Sequence, residues 1–254
     1  MDPLEAAAVA VWCFVVALIG GLVGLVLGNI RLPLVLLVAS SPAGGAGANI
    51  GISGVAASAA AVTHIRAGRV SWRLFAWMAP PSVVGAVAGG IVSGALPGDA
   101  LLAIVAVTLL YFGVDLLRRP PDVSARPADG SGARSLDLRA AAIAGAAIGF
   151  LGGVIGLILG SLRMPALVRY VGERPSLAVG TNVTVGVAVG AAGVIGHLPS
   201  GVDWGLLGIG AAASIPGAVL GARLTGRLSE AALLRAVGIV LVVAGCVTGV
   251  QAAA

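Results

Sequence analysis

Lysine is absent from this chain of 254 residues, and its 15 basic residues are all arginine; charged side chains of both signs make up only 10%. A soluble domain of this length needs far more charge to cover its surface. Cysteine is nearly absent as well. Cys13 and Cys246 each lie deep in an apolar run and read as buried small hydrophobes rather than a metal or redox pair. No Gly-Lys-Ser/Thr phosphate loop, no nucleophile with base and orienter, and no metal-ligand spacing occurs. No catalytic residue, cofactor or metal is therefore assigned, and nothing in the sequence supports an enzyme. The acidic start, Met1-Asp2-Pro3-Leu4-Glu5, lacks the basic region of a signal peptide, so residues 6–28 are read as part of the fold.

What remains is apolar: 59% hydrophobic, with mean hydropathy +1.09. Runs at 6–28, 100–114, 140–160 and 233–250 approach or exceed the roughly 20 residues that cross a bilayer core as a helix. Barrel strands would alternate polar and apolar residues, and these runs do not. The expected class is an all-α integral membrane protein. The net charge of +5 is not gathered on a soluble face, which excludes nucleic acid as a partner. In a membrane protein, arginine excess marks cytoplasmic loops.

The chain is duplicated. A shift of 132 residues lays Gly20, Gly21, Gly24, Gly28, Arg31 and Pro33 on Gly152, Gly153, Gly156, Gly160, Arg163 and Pro165. One inserted residue then pairs Asn49 with Asn182 and His64 with His197, and the first shift resumes at Trp72 and Trp204. This divides the chain into a first half, 1–117, a linker, 118–139, rich in Arg, Asp, Pro, Ser and Gly, and a second half, 140–254. Gly85 and Gly89 fall on Gly217 and Gly221, and glycines at this spacing suit close helix packing, as do the Gly20 and Gly152 rows.

Loop charge exchanges places between the halves. Arg66, Arg69 and Arg73 match an arginine-free turn at 197–204, while Arg223 and Arg227 match an arginine-free stretch at 91–95. Two halves of opposite orientation explain that swap. The expectation is two inverted repeats of about four helical segments each. Arginine-rich turns and the linker are then cytoplasmic, and both termini and the 96–99 and 197–203 turns lie outside. Short runs at 33–40 and 165–171 cannot span. They imply broken, re-entrant glycine-rich helices with tips at 28–33 and 160–165, near mid-membrane, where irregular backbone survives only against protein or a polar cavity.

Arg31 and Arg163 stand two residues before those prolines. A buried guanidinium needs a partner, and no carboxylate lies in either motif, so one reading is a small anionic substrate. The other is that both arginines snorkel and anchor helix ends. Asn49, Asn182, Thr181 and Thr184 lie near the start of the next helix, as oxyanion donors or as helix caps. Asn29, Ser161 and Ser53 are candidates of the same kind. His64 and His197 end the same helix in each half, for coupling or gating or as structural residues. The coupling ion, proton or sodium, is left open, because Asp115 is the one carboxylate that stands out within a span.

The glycine-rich segment ending in proline, the Asn/Thr helix start, the His-x-x-x-Gly-x-Val-x-Trp turn and the later Gly-Ala-x-x-Gly together resemble the TauE/SafE-type sulfite and sulfonate exporters, also called the toluene sulfonate uptake permease family. Its most specific pieces here are HIRAGRVSW at 64–72, AVGTN at 178–182 and HLPSGVDW at 197–204. The resemblance implies secondary transport of small sulfur-containing or organic anions across the bacterial inner membrane, with export as the direction. Val26-Leu27 and Ile158-Leu159 replace glycines usual in that family, and Arg31 and Arg163 replace aliphatic residues. The resemblance therefore does not fix the anion. A passive anion channel and a non-transporting scaffold subunit are the alternatives. Oligomeric state is not readable.

Overall fold

The computed structural model describes residues 2–92, 98–119, 136–155, 157–197 and 201–253, with backbone alone at 90, 98–99 and 196–197. The regular structure of these residues is helical: α1 Pro3–Val23, α2 Gly28–Val38, α3 Pro42–Arg66, α4 Trp72–Ile91, α5 Gly98–Arg118, α6 Leu138–Ile155, α7 Gly160–Ala166, α8 Pro175–His197, α9 Trp204–Thr225 and α10 Glu230–Ala253. Seven of them are long and apolar enough to cross a membrane: α1, α3, α5, α6, α8, α9 and α10. The protein is a multi-pass membrane protein.

Local sequence sets the helix boundaries. Asp2 caps α1 through a capping box with Glu5, and Pro3 stands in its first turn. Ser41 caps α3 ahead of Pro42, and Asp203 caps α9. At its far end α1 stops at Gly24, whose φ of +69° is the left-handed conformation that glycine reaches without strain. The N–H of Leu25 then returns to the Gly20 carbonyl at 2.9 Å, and residues 25–27 run non-helically back to α2. In α6–α7 the same turn recurs, with Leu157 N–H on the Gly152 carbonyl at 2.9 Å.

Among the described residues five α-helices lie on each side of the linker, where about four segments, the short one included, were expected. The breaks also sit earlier than expected, ahead of Gly28 and Gly160, and Pro33 and Pro165 lie inside α2 and α7. Pro33 cannot donate to the Asn29 carbonyl four residues before it. That carbonyl instead accepts from Gln251 Nε2 of α10 at 2.9 Å. The end of α7 widens into a π turn, Leu167–Val171, closed by Gly172 at φ +80°; α2 has no such turn.

The two sets of five interlock, since α1 packs chiefly on α9, α6 on α4, and α5 on α10. Ser214 Oγ donates to the Cys13 carbonyl at 3.4 Å and Thr225 Oγ1 to the Leu22 carbonyl at 2.8 Å, so α1 and α9 run in the same direction. Met78 and Ser82 face Gly145 while Phe150 and Val154 face Gly89, so α4 and α6 also run together. By contrast α3 and α8 are opposed, with Gly54 beside Gly190 and His64 beside Gly180. Opposed too are α5 and α10, with Gly113 beside Gly238 and Ala106 beside Gly245.

Gly85 and Gly89 lie against α6 backbone, and Gly217 and Gly221 against α1 backbone, so closely that a methyl would overlap it. Gly20 and Gly152 play another part than helix packing. A methyl on either would come within 2.6 Å of the returning carbonyl of Leu25 or Leu157, so they make room for the turn. Cys13 is buried, but Cys246 is exposed on the outer face of α10. Apolar neighbours cannot distinguish a core position from a lipid-facing one, because lipid and protein interior are equally apolar.

A candidate anion site at the paired broken helices

Each turn presents a short helix to a long one. α2 lies antiparallel to the first part of α3, and Asn49 and Ser53, one helical turn apart, face it. Arg31 is 2% exposed. Its Nε donates to Asn49 Oδ1 at 2.9 Å, and its Nη2 donates to the Asn49 carbonyl at 2.9 Å and to Ser53 Oγ. Asn49 Nδ2 in turn donates to the Gly28 carbonyl at 3.1 Å, tying the first residue of α2 to α3. A buried guanidinium costs several kcal/mol unless its donors are met. Here three neutral acceptors meet those of Nε and Nη2.

The second turn repeats the frame and leaves it more open. Asn182 Nδ2 donates to the Gly160 carbonyl at 2.8 Å and to that of Gly24, across in the first turn, at 2.7 Å. Arg163 is 1% exposed, yet its Nη1 reaches Asn182 Oδ1 only at 3.5 Å, and its buried Nε has no partner. The ion pairs among the described residues are Arg169–Asp115 and Arg174–Glu230, so no carboxylate neutralises either tip arginine. The arrangement is two buried positive centres held by amides, hydroxyls and carbonyls. No group of three or more metal-ligating side chains occurs among the described residues.

The remaining candidates separate into neighbours of the turns and residues away from them. Asn29 is buried and donates from Nδ2 to Thr248 Oγ1 at 2.9 Å. Ser161 is buried in the first turn of α7. Asn49 lies well inside α3, whose cap is Ser41, so the capping alternative for Asn49 falls. Thr181 Oγ1 accepts from the Ser71 N–H at 2.9 Å, and Thr184 Oγ1 donates to the Gly180 carbonyl at 2.8 Å; neither bonds a tip arginine. His64 is fully buried near the end of α3, with Nε2 at 3.2 Å from the Gly21 carbonyl. The backbone of His197 ends α8, and its side chain lies outside the described residues, as do residues 120–135 of the linker, 93–97 ahead of α5 and 198–200 of the other turn. Asp115 is paired with Arg169 at 2.6 Å.

Four polar residues outside the candidate set complete the surroundings. Thr248 and Gln251 fasten α10 to α2. Asp203 accepts from Ser40 N and Oγ at 3.1 and 2.9 Å and from Leu206 N at 3.0 Å, fixing the α2–α3 turn to α9. These bonds, the backbone N–H of Leu206 foremost, hold its carboxyl below the usual carboxylate range. At the opposite end Arg69 Nη2 donates to the Ala222 carbonyl at 2.9 Å in the last turn of α9, and burial pushes its guanidinium below its ordinary value. Apart from Leu206, none of these partners is near in sequence, so only the fold could reveal them.

The sequence profile of the family described as Sulfite exporter TauE/SafE matches residues 9–248, nearly the whole chain and both broken turns. The chain belongs to the TauE/SafE family. Among curated proteins, this TauE/SafE chain is similar to the Probable membrane transporter protein YunE of Bacillus subtilis (strain 168), 33% identical over 104 residues. That match covers 39% of this chain and 37% of YunE. No solved structure matches the chain. The TauE/SafE family is one of membrane transporters, which agrees with the helices long enough to span.

Proposed function

We propose that this protein is a secondary transporter that exports small sulfur-containing or organic anions, such as sulfite, thiosulfate or organosulfonates, across the bacterial inner membrane by alternating access. The observation that carries this reading is the pair of fully buried arginines at the broken turns, neither paired with a carboxylate among the described residues. Such a site attracts a compact anion, because guanidinium donors match carboxylate and sulfur oxyanions in charge and geometry. The family description and the name of the Bacillus subtilis relative support transport, and export follows the family description.

Two inverted repeats, residues 1–117 and 140–254, supply the two access states. In support, α3 opposes its counterpart α8 and α5 opposes α10, while α1 runs with α9, the counterpart of α4. On this reading the linker 118–139 is cytoplasmic and both termini lie outside, an orientation supported by the ten arginines that then fall in cytoplasmic turns. Broken helices facing each other between inverted repeats form the substrate sites of many secondary transporters. His64 Nε2 contacts the Gly21 carbonyl while Nδ1 is buried without a partner, so the contact supports a structural role and leaves the second nitrogen free for coupling.

Proteoliposome uptake of sulfite, thiosulfate, sulfoacetate and small carboxylates tests the reading. Saturable uptake of one of them, lost in the Arg31→Ala/Arg163→Ala double variant while the protein stays monodisperse, is the expected result. Uptake that survives the double change would move both arginines to an anchoring role, and ohmic current without exchange of labelled anion would point to a pore. Cysteine labelling of the 96–99 and 223–227 turns from a single side would refute the inverted topology.

A further inference from the structure

The two turns differ at one equivalent position. The one-residue insertion that pairs Asn49 with Asn182 also pairs Ser53 with Gly186. Ser53 is the hydroxyl that completes the bonding of Arg31. Gly186 offers no side chain, and of the two tip guanidiniums that of Arg163 is the one with an unpartnered, buried Nε, a condition Arg69 and Arg169 share elsewhere in the fold.

We propose that the two arginines have divided their roles, so that Arg163 binds the transported anion and Arg31 is a permanent strut. The division rests on the transporter reading given above. Arg31 has both Nε and Nη2 committed to protein acceptors. Asn182 cannot relieve Arg163 further. Its Nδ2 is held by two carbonyls, which fixes its Oδ1 at 3.5 Å from Nη1. A buried charged donor without an acceptor is costly, and such groups in folded proteins call for a particular explanation. A ligand oxyanion supplies the acceptor. The Nε–H is one prong of the side-on fork by which a guanidinium takes two oxygens of a carboxylate, sulfite or sulfonate group. The shared ligand chemistry is therefore a compact oxyanion, of carbon or of sulfur.

The test exchanges the equivalent residues in the full-length protein and reads two quantities, anion affinity and melting temperature in detergent. Sulfite, thiosulfate, sulfoacetate and acetate serve as probes and separate the two oxyanion sources. Gly186→Ser is combined with Val26→Ala, since a Cβ at 186 would stand 2.9 Å from Val26 Cγ2. The new hydroxyl is expected to raise the melting temperature above that of Val26→Ala alone and to weaken binding about 10-fold. Arg163→Gln is expected to weaken binding about 10- to 100-fold, the loss of one charge-assisted contact or a pair of them. Ser53→Ala should lower the melting temperature and change affinity by less than about 3-fold. The division is overturned if Ser53→Ala removes binding from folded protein, or if folded Arg163→Gln binds as wild type does. Absence of saturable binding of all four probes by wild type would overturn the transporter reading itself, a different outcome from either.

Discussion

Arg31 and Arg163 sit in matching places and live in different surroundings. Around both, an asparagine on the following long helix grips the first carbonyl of the short one, Gly28 or Gly160. Around Arg31 the frame is closed by Ser53; around Arg163 glycine replaces the serine, and the short helix widens into a π turn. π turns inside helices are often found at functional sites. The contrast shows how a duplicated scaffold can release one copy from the demands of stability while the other keeps meeting them. An incompletely bonded buried charge is tolerable in one half because its twin holds the other half together.

Replacement of each arginine breaks or sharpens that contrast most directly. Arg31→Ala strands Asn49 Oδ1 and Ser53 and opens a cavity, and should cost about 3–5 kcal/mol of stability by detergent unfolding. Arg163→Met should leave stability unchanged or raise it by about 1 kcal/mol, since an incompletely bonded buried charge gives way to a hydrophobe, while anion uptake is lost. Equal losses of stability would end the comparison. Where the halves are truly alike, matched changes should match. Gly89→Ala and Gly221→Ala each drive a methyl into neighbouring backbone, and each should cost about 1–3 kcal/mol in the same assay. Smaller is the brace found only at α2. Gln251→Leu leaves the Asn29 carbonyl without its donor and should cost about 1 kcal/mol, checked by the same unfolding curve.

Last comes Asp203, which joins α9 to the α2–α3 turn. Its folded pKa lies below its ordinary value of 3.8, so the unfolded state binds its proton first as pH falls. Its contribution is complete above about pH 4 and fades as pH drops through the lower folded value. Asp203→Asn should therefore lower melting by a few degrees at pH 7, and the difference from wild type should shrink as the pH falls through the lowered folded value, which acid-titrated melting curves detect.

Much of this architecture could be read without coordinates. Absence of lysine, long apolar runs and the repeat of Arg31-x-Pro33 at Arg163-x-Pro165 gave the class and the two centres. The turn itself was misplaced because proline is a visible breaker, whereas Gly24 looks like any of the 40 glycines until its φ is known. Pro33 could stay inside its helix because Gln251, more than 200 residues away, takes the freed carbonyl. The exposed face of Cys246 was hidden for a different reason: lipid and core select the same residues. The Ser53/Gly186 difference was on the page from the start. Only the bonds of Arg31 give it meaning.

The same-direction packing of α1 on α9 has a consequence for how the chain is made. Cys13 waits for Ser214, 201 residues later, before its carbonyl meets a hydroxyl. At roughly 5–20 residues per second of synthesis, that is a delay of about 10–40 s. Throughout it, the edge of α1 that Gly217 and Gly221 will cover faces either lipid or the insertion machinery, with no native mate. The halves therefore cannot mature one after the other like beads on a string; the last-made helices complete the first.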